Sequence, residues 1–86
     1  MSSILETFGT RVKYFREQQG LSQGDVERKS GILRCYLSRI ENRKNLPLLS
    51  VAQKIAKAIG VPLWCLLLTD EEFELARRKR DERKSK

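Results

Sequence analysis

The sequence predicts an all-α fold, a compact bundle of five helices with a sixth able to begin near Thr69. Three observations predict it. Apolar residues recur at steps of three and four, which line one face of a helix. Period-two alternation, the mark of a half-buried strand, never persists beyond a few residues. Turn-forming residues, Gly20, Ser30-Gly31 and Gly60, interrupt the periodic stretches.

Leu5, Phe8, Val12 and Phe15 share one face of a first helix, and Gly20 stops it because glycine takes the left-handed conformation freely. Ser22 is a good N-cap for a second helix over residues 23–29, with Asp25 favourable in its first turn and Val26 inward. A third helix spans residues 34–42, with Leu37 and Ile40 inward. Residues 43–48 form a basic loop holding Pro47. A fourth helix over residues 49–59 buries Ala52, Ile55, Ala56 and Ile59 and ends at Gly60. Pro62 opens a short fifth helix at a first-turn position, where its missing N–H does no harm, and Leu63, Leu66 and Leu67 close the core. Thr69 and Glu72 have capping-box spacing, and Glu74 with Arg78 makes an i,i+4 pair of favourable polarity.

The chain has 86 residues, enough for one small domain. With 40% hydrophobic and 34% charged residues it is globular rather than disordered. Such a domain is only marginally stable alone, so dimer formation would help it. No apolar run approaches the length of a membrane span, and the N-terminal residues lack a secretory pattern, so a cytoplasmic location is expected. Composition shifts near Thr69, which divides residues 1–69, the folded body, from residues 70–86, a charged helix or tail.

Charge narrows the function. Lys and Arg number 18 against 11 Asp and Glu, a net charge of +7. Residues 70–86 carry seven basic and six acidic side chains, so six of the seven net charges lie on the body. A basic small domain points to a polyanionic partner, nucleic acid before a membrane surface. The chain has no histidine, which removes the commonest general base and the commonest metal ligand. Cys35 and Cys65 lie thirty positions apart and make a poor zinc site. Neither an enzyme, a metal nor a cofactor is expected. Cys65 is expected in the core.

Two short helices joined by a tight turn at Ser30-Gly31-Ile32 have the layout of a helix-turn-helix. The second helix of that motif enters the major groove of DNA, which is about 12 Å wide. Here it carries Arg34 and Arg39 off the Leu37/Ile40 face, and arginine donates two hydrogen bonds to the guanine edge. Tyr36 is expected to pack or to meet a phosphate rather than to read bases. Trp64 suits either the core or a dimer surface.

Leu21-Ser22-Gln23, Lys29-Ser30-Gly31 and the run Tyr36-Leu37-Ser38-Arg39-Ile40-Glu41-Asn42 resemble the Xre family, the Cro and phage-repressor type of helix-turn-helix regulator. Phe8-Gly9 with Arg16 upstream, and residues 54–61 downstream, extend the likeness over residues 8–68. The resemblance implies a phage-repressor-like five-helix bundle that binds operator DNA, usually as a homodimer on palindromic sites, and regulates transcription. Family members also include antitoxins and restriction-modification controllers. By position, Gln23 corresponds to a phosphate clamp at the start of the second helix. Leu33, Arg34, Cys35 and Arg39 correspond to base-facing positions, with Ser38 nearby. Asn42, Arg43 and Lys44 correspond to a loop whose backbone amides and basic side chains meet the second phosphate strand. Arg16 and Glu41 correspond to a structural ion pair. Leu63, Trp64, Leu67 and Phe73 would supply the dimer interface.

The sequence departs from the family pattern at four places. Leu33 and Leu48 stand where a Ser or Thr usually caps a helix, Glu27 where a small residue is common, and Gly24 where a helix former is usual. Leu33 predicts a frayed start to the third helix, at a cost of about 1 kcal/mol. Glu27 must turn outward or find a partner. The charged residues 70–86 motivate a competing reading, a protein-interaction adaptor that holds its partner through the tail.

Overall fold

The structure, a computed structural model, describes residues 4–84. Its elements are α1 (Ile4–Gln18), α2 (Gln23–Ser30), α3 (Arg34–Glu41), α4 (Leu49–Ile59), a 3₁₀ turn (Leu63–Leu67) and α5 (Asp70–Lys84), and no strand occurs among the described residues. The fold is all-α. The fifth expected helix is the 3₁₀ turn: Pro62 is its extended N-cap rather than a first-turn residue, and five residues close one tight turn only.

The core forms where apolar stripes converge. Phe8 and Val12 of α1 meet Val26, Leu37, Ile40, Ile55, Ile59 and Leu66, with Phe15 half-buried against them. The Leu5 side chain lies outside the described residues. Leu66 closes the core as expected and Leu63 packs at its edge, but Leu67 points out to solvent. In a 3₁₀ turn, side chains three apart align, so Leu67 follows the exposed Trp64 rather than Leu66. Cys65 is only half-buried, and its burial pushes the thiol pKa up.

Helices α1 and α3 cross very closely. A side chain on Gly9 would place its Cβ 2.2 Å from the Ile40 carbonyl oxygen, so only glycine fits. α2 packs against both α3 and α4, which fixes the two-helix unit on the rest of the bundle.

α5 starts with the expected capping box: Thr69 N–H donates to Glu72 and Glu72 N–H donates to the Thr69 hydroxyl, both at 3.1 Å. Glu74 pairs with Arg77, one residue before the expected partner Arg78. Phe73, expected at a dimer surface, is instead 7% exposed within its own chain. Its ring meets Tyr14 and Phe15 edge-on at 4.9 and 5.9 Å. The guanidinium of Arg11 lies 4.0 Å from the ring centroid and donates to Asp70 at 2.7 Å. Arg11 is itself 5% exposed, and its buried Nε has no hydrogen-bond partner, so the ring face and one carboxylate hold this cation.

Candidate nucleic-acid interface

α2 is fixed at both ends by local chemistry. Ser22 accepts from Asp25 N–H at 3.0 Å while Asp25 accepts from Ser22 N–H at 2.8 Å, a complete capping box. Those hydrogen bonds hold the Asp25 carboxyl below its ordinary pKa. Gly31 ends the helix at φ 79°, its N–H donating to the Glu27 carbonyl at 2.8 Å. Ser30 accepts from Ile32 N–H at 3.0 Å and so shapes the turn into α3.

α3 buries Leu37, Ile40 and Glu41 and turns its other face to solvent. Leu33, Arg34, Cys35 and Arg39 are exposed and Ser38 is half-exposed. Leu33 stands 63% exposed at the helix start and makes no cap hydrogen bond. The helix is capped nonetheless. The Glu27 carboxylate reaches across the turn and accepts from Arg34 N–H at 2.7 Å. Glu27 and Leu33 thus compensate one another: the longer acid on α2 does for α3 what a Ser or Thr at its own N-cap would do. Seven residues separate donor and acceptor, so no local spacing announces the bond.

The Arg34 side chain leans back over α2. Its Nη2 lies 4.0 Å from Glu27 Oε1 and rests against Gly24, where an added Cβ would sit 3.0 Å from it. Arg34 is therefore placed at the margin of the row formed by Leu33, Cys35, Ser38 and Arg39.

The C-terminal end of α3 is held by buried charge. Arg16 donates Nε to Glu41 Oε2 at 2.8 Å and Nη2 to Oε1 at 2.9 Å. Its Nη1 donates to the Leu21 carbonyl at 2.7 Å. The Glu41 hydrogen bond raises the Arg16 pKa above its ordinary value. The expected ion pair is present. Gln23 joins it, its side-chain amide donating to Glu41 Oε1 at 3.2 Å. That bond orients Gln23 at the first position of α2, where helix N–H groups favour an anion.

The loop after α3 departs from expectation. Arg43 adopts φ 63°, the left-handed region, as the C′ residue of a Schellman motif. Arg43 N–H donates to the Ile40 carbonyl at 3.0 Å and Lys44 N–H to the Arg39 carbonyl at 2.9 Å. Asn42 N–H donates to Ser38 at 2.9 Å. These backbone amides close the helix and cannot meet a phosphate at the same time. The side chains of Asn42, Arg43 and Lys44 remain exposed, while Tyr36 packs half-buried on the core. Leu46, Leu48 and Leu49 form an exposed apolar rim beside them, and Leu48, like Leu33, makes no side-chain cap.

Cys35 is a free exposed thiol. Among the described residues, no group of three His, Cys, Asp or Glu could hold a metal ion, and no helix is long and apolar enough to cross a membrane.

A helix-turn-helix family model (HTH_3) matches residues 12–63, from the middle of α1 to the start of the 3₁₀ turn. The HTH-type transcriptional regulator SinR of Bacillus licheniformis is 31% identical over 67 residues, covering 77% of this chain and 60% of SinR. The chain spans about 60% of the length of the first curated relatives it matches. The crystal structure of the hypothetical transcription factor NHTF from Neisseria superposes with a TM-score of 0.79 at 30% identity, over 86% of this chain and 85% of that one. The restriction-modification controller C.Esp1396I, solved as a tetramer with its natural operator, superposes with a TM-score of 0.69 at 25% identity, over 80% of this chain and all of that one. With its two-helix unit, its arginine-bearing α3 and a family match over residues 12–63, the chain belongs to the helix-turn-helix family of Xre-like transcriptional regulators.

Proposed function

We propose that the chain binds double-stranded DNA sequence-specifically, as a homodimer on a palindromic operator, and thereby regulates transcription from the cytoplasm. One observation carries the reading. α3 is anchored by Leu37, Ile40 and Glu41 and leaves Leu33, Cys35, Ser38 and Arg39 together on its free side. A single helix presented this way fits the major groove. Arg39 is the side chain for a guanine edge. Leu33 and Cys35 offer apolar contact, suited to a thymine methyl, and Ser38 a short hydroxyl. Gln23, Asn42, Arg43 and Lys44 border that face and suit phosphates, whereas Tyr36 serves mainly as packing. The operator-bound relative supports the same use of the fold.

The dimer surface is proposed at the 3₁₀ turn, where Trp64 is 61% and Leu67 42% exposed with Leu63 beside them. Phe73 drops out because its own chain covers it. Two copies would place their α3 helices about 34 Å apart, one turn of duplex.

Fluorescence-anisotropy titration tests the reading. Arg39→Ala is expected to lose about 1–3 kcal/mol of affinity for a selected duplex and to relax base choice at one position. Lys44→Ala should weaken selected and scrambled duplexes alike. Equal loss on both duplexes for Arg39→Ala would contradict base reading. A restriction-modification controller is the second reading, favoured by the full coverage of C.Esp1396I. The adaptor reading is separated by truncation after Arg78, which keeps Phe73 in place: unchanged DNA binding leaves residues 79–86 free for a protein partner.

A further inference from the structure

Two arginines on different helices converge outside the row of base-facing residues. Gly24 lies in the first turn of α2, and a Cβ there would sit 3.0 Å from Arg34 Nη2 and 3.6 Å from Arg28 Nη1. Both guanidinium groups therefore reach over the same bare patch of backbone, and both side chains are mostly exposed, at 70% for Arg28 and 61% for Arg34. Bringing two cations together is unfavourable unless negative charge answers them. Each has one carboxylate on its flank. Asp25 pairs with Arg28, and Glu27 stands 4.0 Å from Arg34 while binding the same residue's backbone N–H. Beside those carboxylates both guanidinium groups stay mostly exposed, so an external anion can reach them. A phosphate diester fits this chemistry: it has one charge and two free oxygens, and guanidinium groups bind it through directed, charge-assisted hydrogen bonds.

We propose that Arg28 and Arg34 grip one backbone phosphate of the duplex over the notch at Gly24. Glu27 is the positioning residue that keeps Arg34 against that notch. The inference rests on the DNA-binding reading above and moves Arg34 from base reading to phosphate binding.

The test is DNA titration across a salt series with the intact chain, on a selected and a scrambled duplex, beside a thermal melt of each variant. Arg28→Gln and Arg34→Gln should each weaken both duplexes by the same factor and flatten the slope of log affinity against log salt by about 1. In wild-type protein, neutral methylphosphonate at one backbone position should reproduce the loss, and Arg28→Gln should be indifferent to it. Wild-type affinity and slope in Arg28→Gln would overturn the clamp and leave DNA binding standing. So would an Arg34→Gln defect confined to one base position. Absence of wild-type binding to either duplex would overturn the DNA reading and the clamp together.

Discussion

At its C-terminal end α3 is held from behind by buried charge. The Arg16 guanidinium engages both oxygens of Glu41 and also the Leu21 carbonyl, and Gln23 adds a fourth hydrogen bond. At its N-terminal end the same helix is held at the surface by one half-buried carboxylate, Glu27, on one backbone N–H. The difference separates two tasks. The buried network fixes where α3 lies on the bundle, since neither partner can leave without stranding the other in a low-dielectric site. The surface cap sets how the first turn is presented, and it can be exchanged for an ordinary hydroxyl cap without disturbing the core.

The contrast can be broken most forcefully from the buried side. Glu41→Ala should destabilise the fold by about 3–5 kcal/mol in urea or thermal unfolding, because it leaves Arg16 buried and unpaired. A loss under about 1 kcal/mol, the range of exposed pairs, would show that the network is solvated. On the surface side, Glu27→Ala should cost only about 1 kcal/mol, and Leu33→Ser in the same chain should restore most of it by providing a local cap. Failure of that rescue would mean that Glu27 acts through Arg34's side chain rather than through the helix terminus. Arg43→Gly separates stability from binding. It should stabilise the fold by up to about 1 kcal/mol by relieving a left-handed arginine, while weakening DNA on every sequence. The smallest effect concerns acid.

Asp25 and Glu72 close the capping boxes of α2 and α5, and those hydrogen bonds lower both carboxyl pKa values. The unfolded chain then binds more protons than the folded one between the lowered values and the ordinary range near 4. Stability from the caps is thus complete above that range and fades as pH falls through the folded values. Asp25→Asn should shallow the acid limb of a melting-temperature profile, and an unchanged limb would contradict its part in it.

Much of this was legible because it is local. Ser22, Gly31 and the Thr69–Glu72 pair act within one turn of chain, and the inward residues of α4 repeat at helical spacing. The family resemblance added Arg16 and Glu41, which the structure joins. What escaped depends on distance along the chain. Arg11 and Asp70 are 59 residues apart, so the burial of Phe73 against Arg11 could not be read from a charged C-terminal segment. Glu27 stood out as a departure, but its use as the cap of the next helix becomes visible only once the turn brings it to Arg34. Gly24 reads as a plain cost in helix propensity until Arg34 and Arg28 are seen lying over it. At Arg43 the sequence offers no glycine, so the left-handed closure of α3 carries no signal.

Whether the free face of α3 reads DNA is decided by selecting binding sites from a pool of random duplexes. The expected result is enrichment of a palindrome whose half-sites lie one helical turn apart, bound less tightly as salt rises, with the preference at one base pair lost in Arg39→Ala. A pool that remains unenriched after repeated rounds in dilute salt would contradict it.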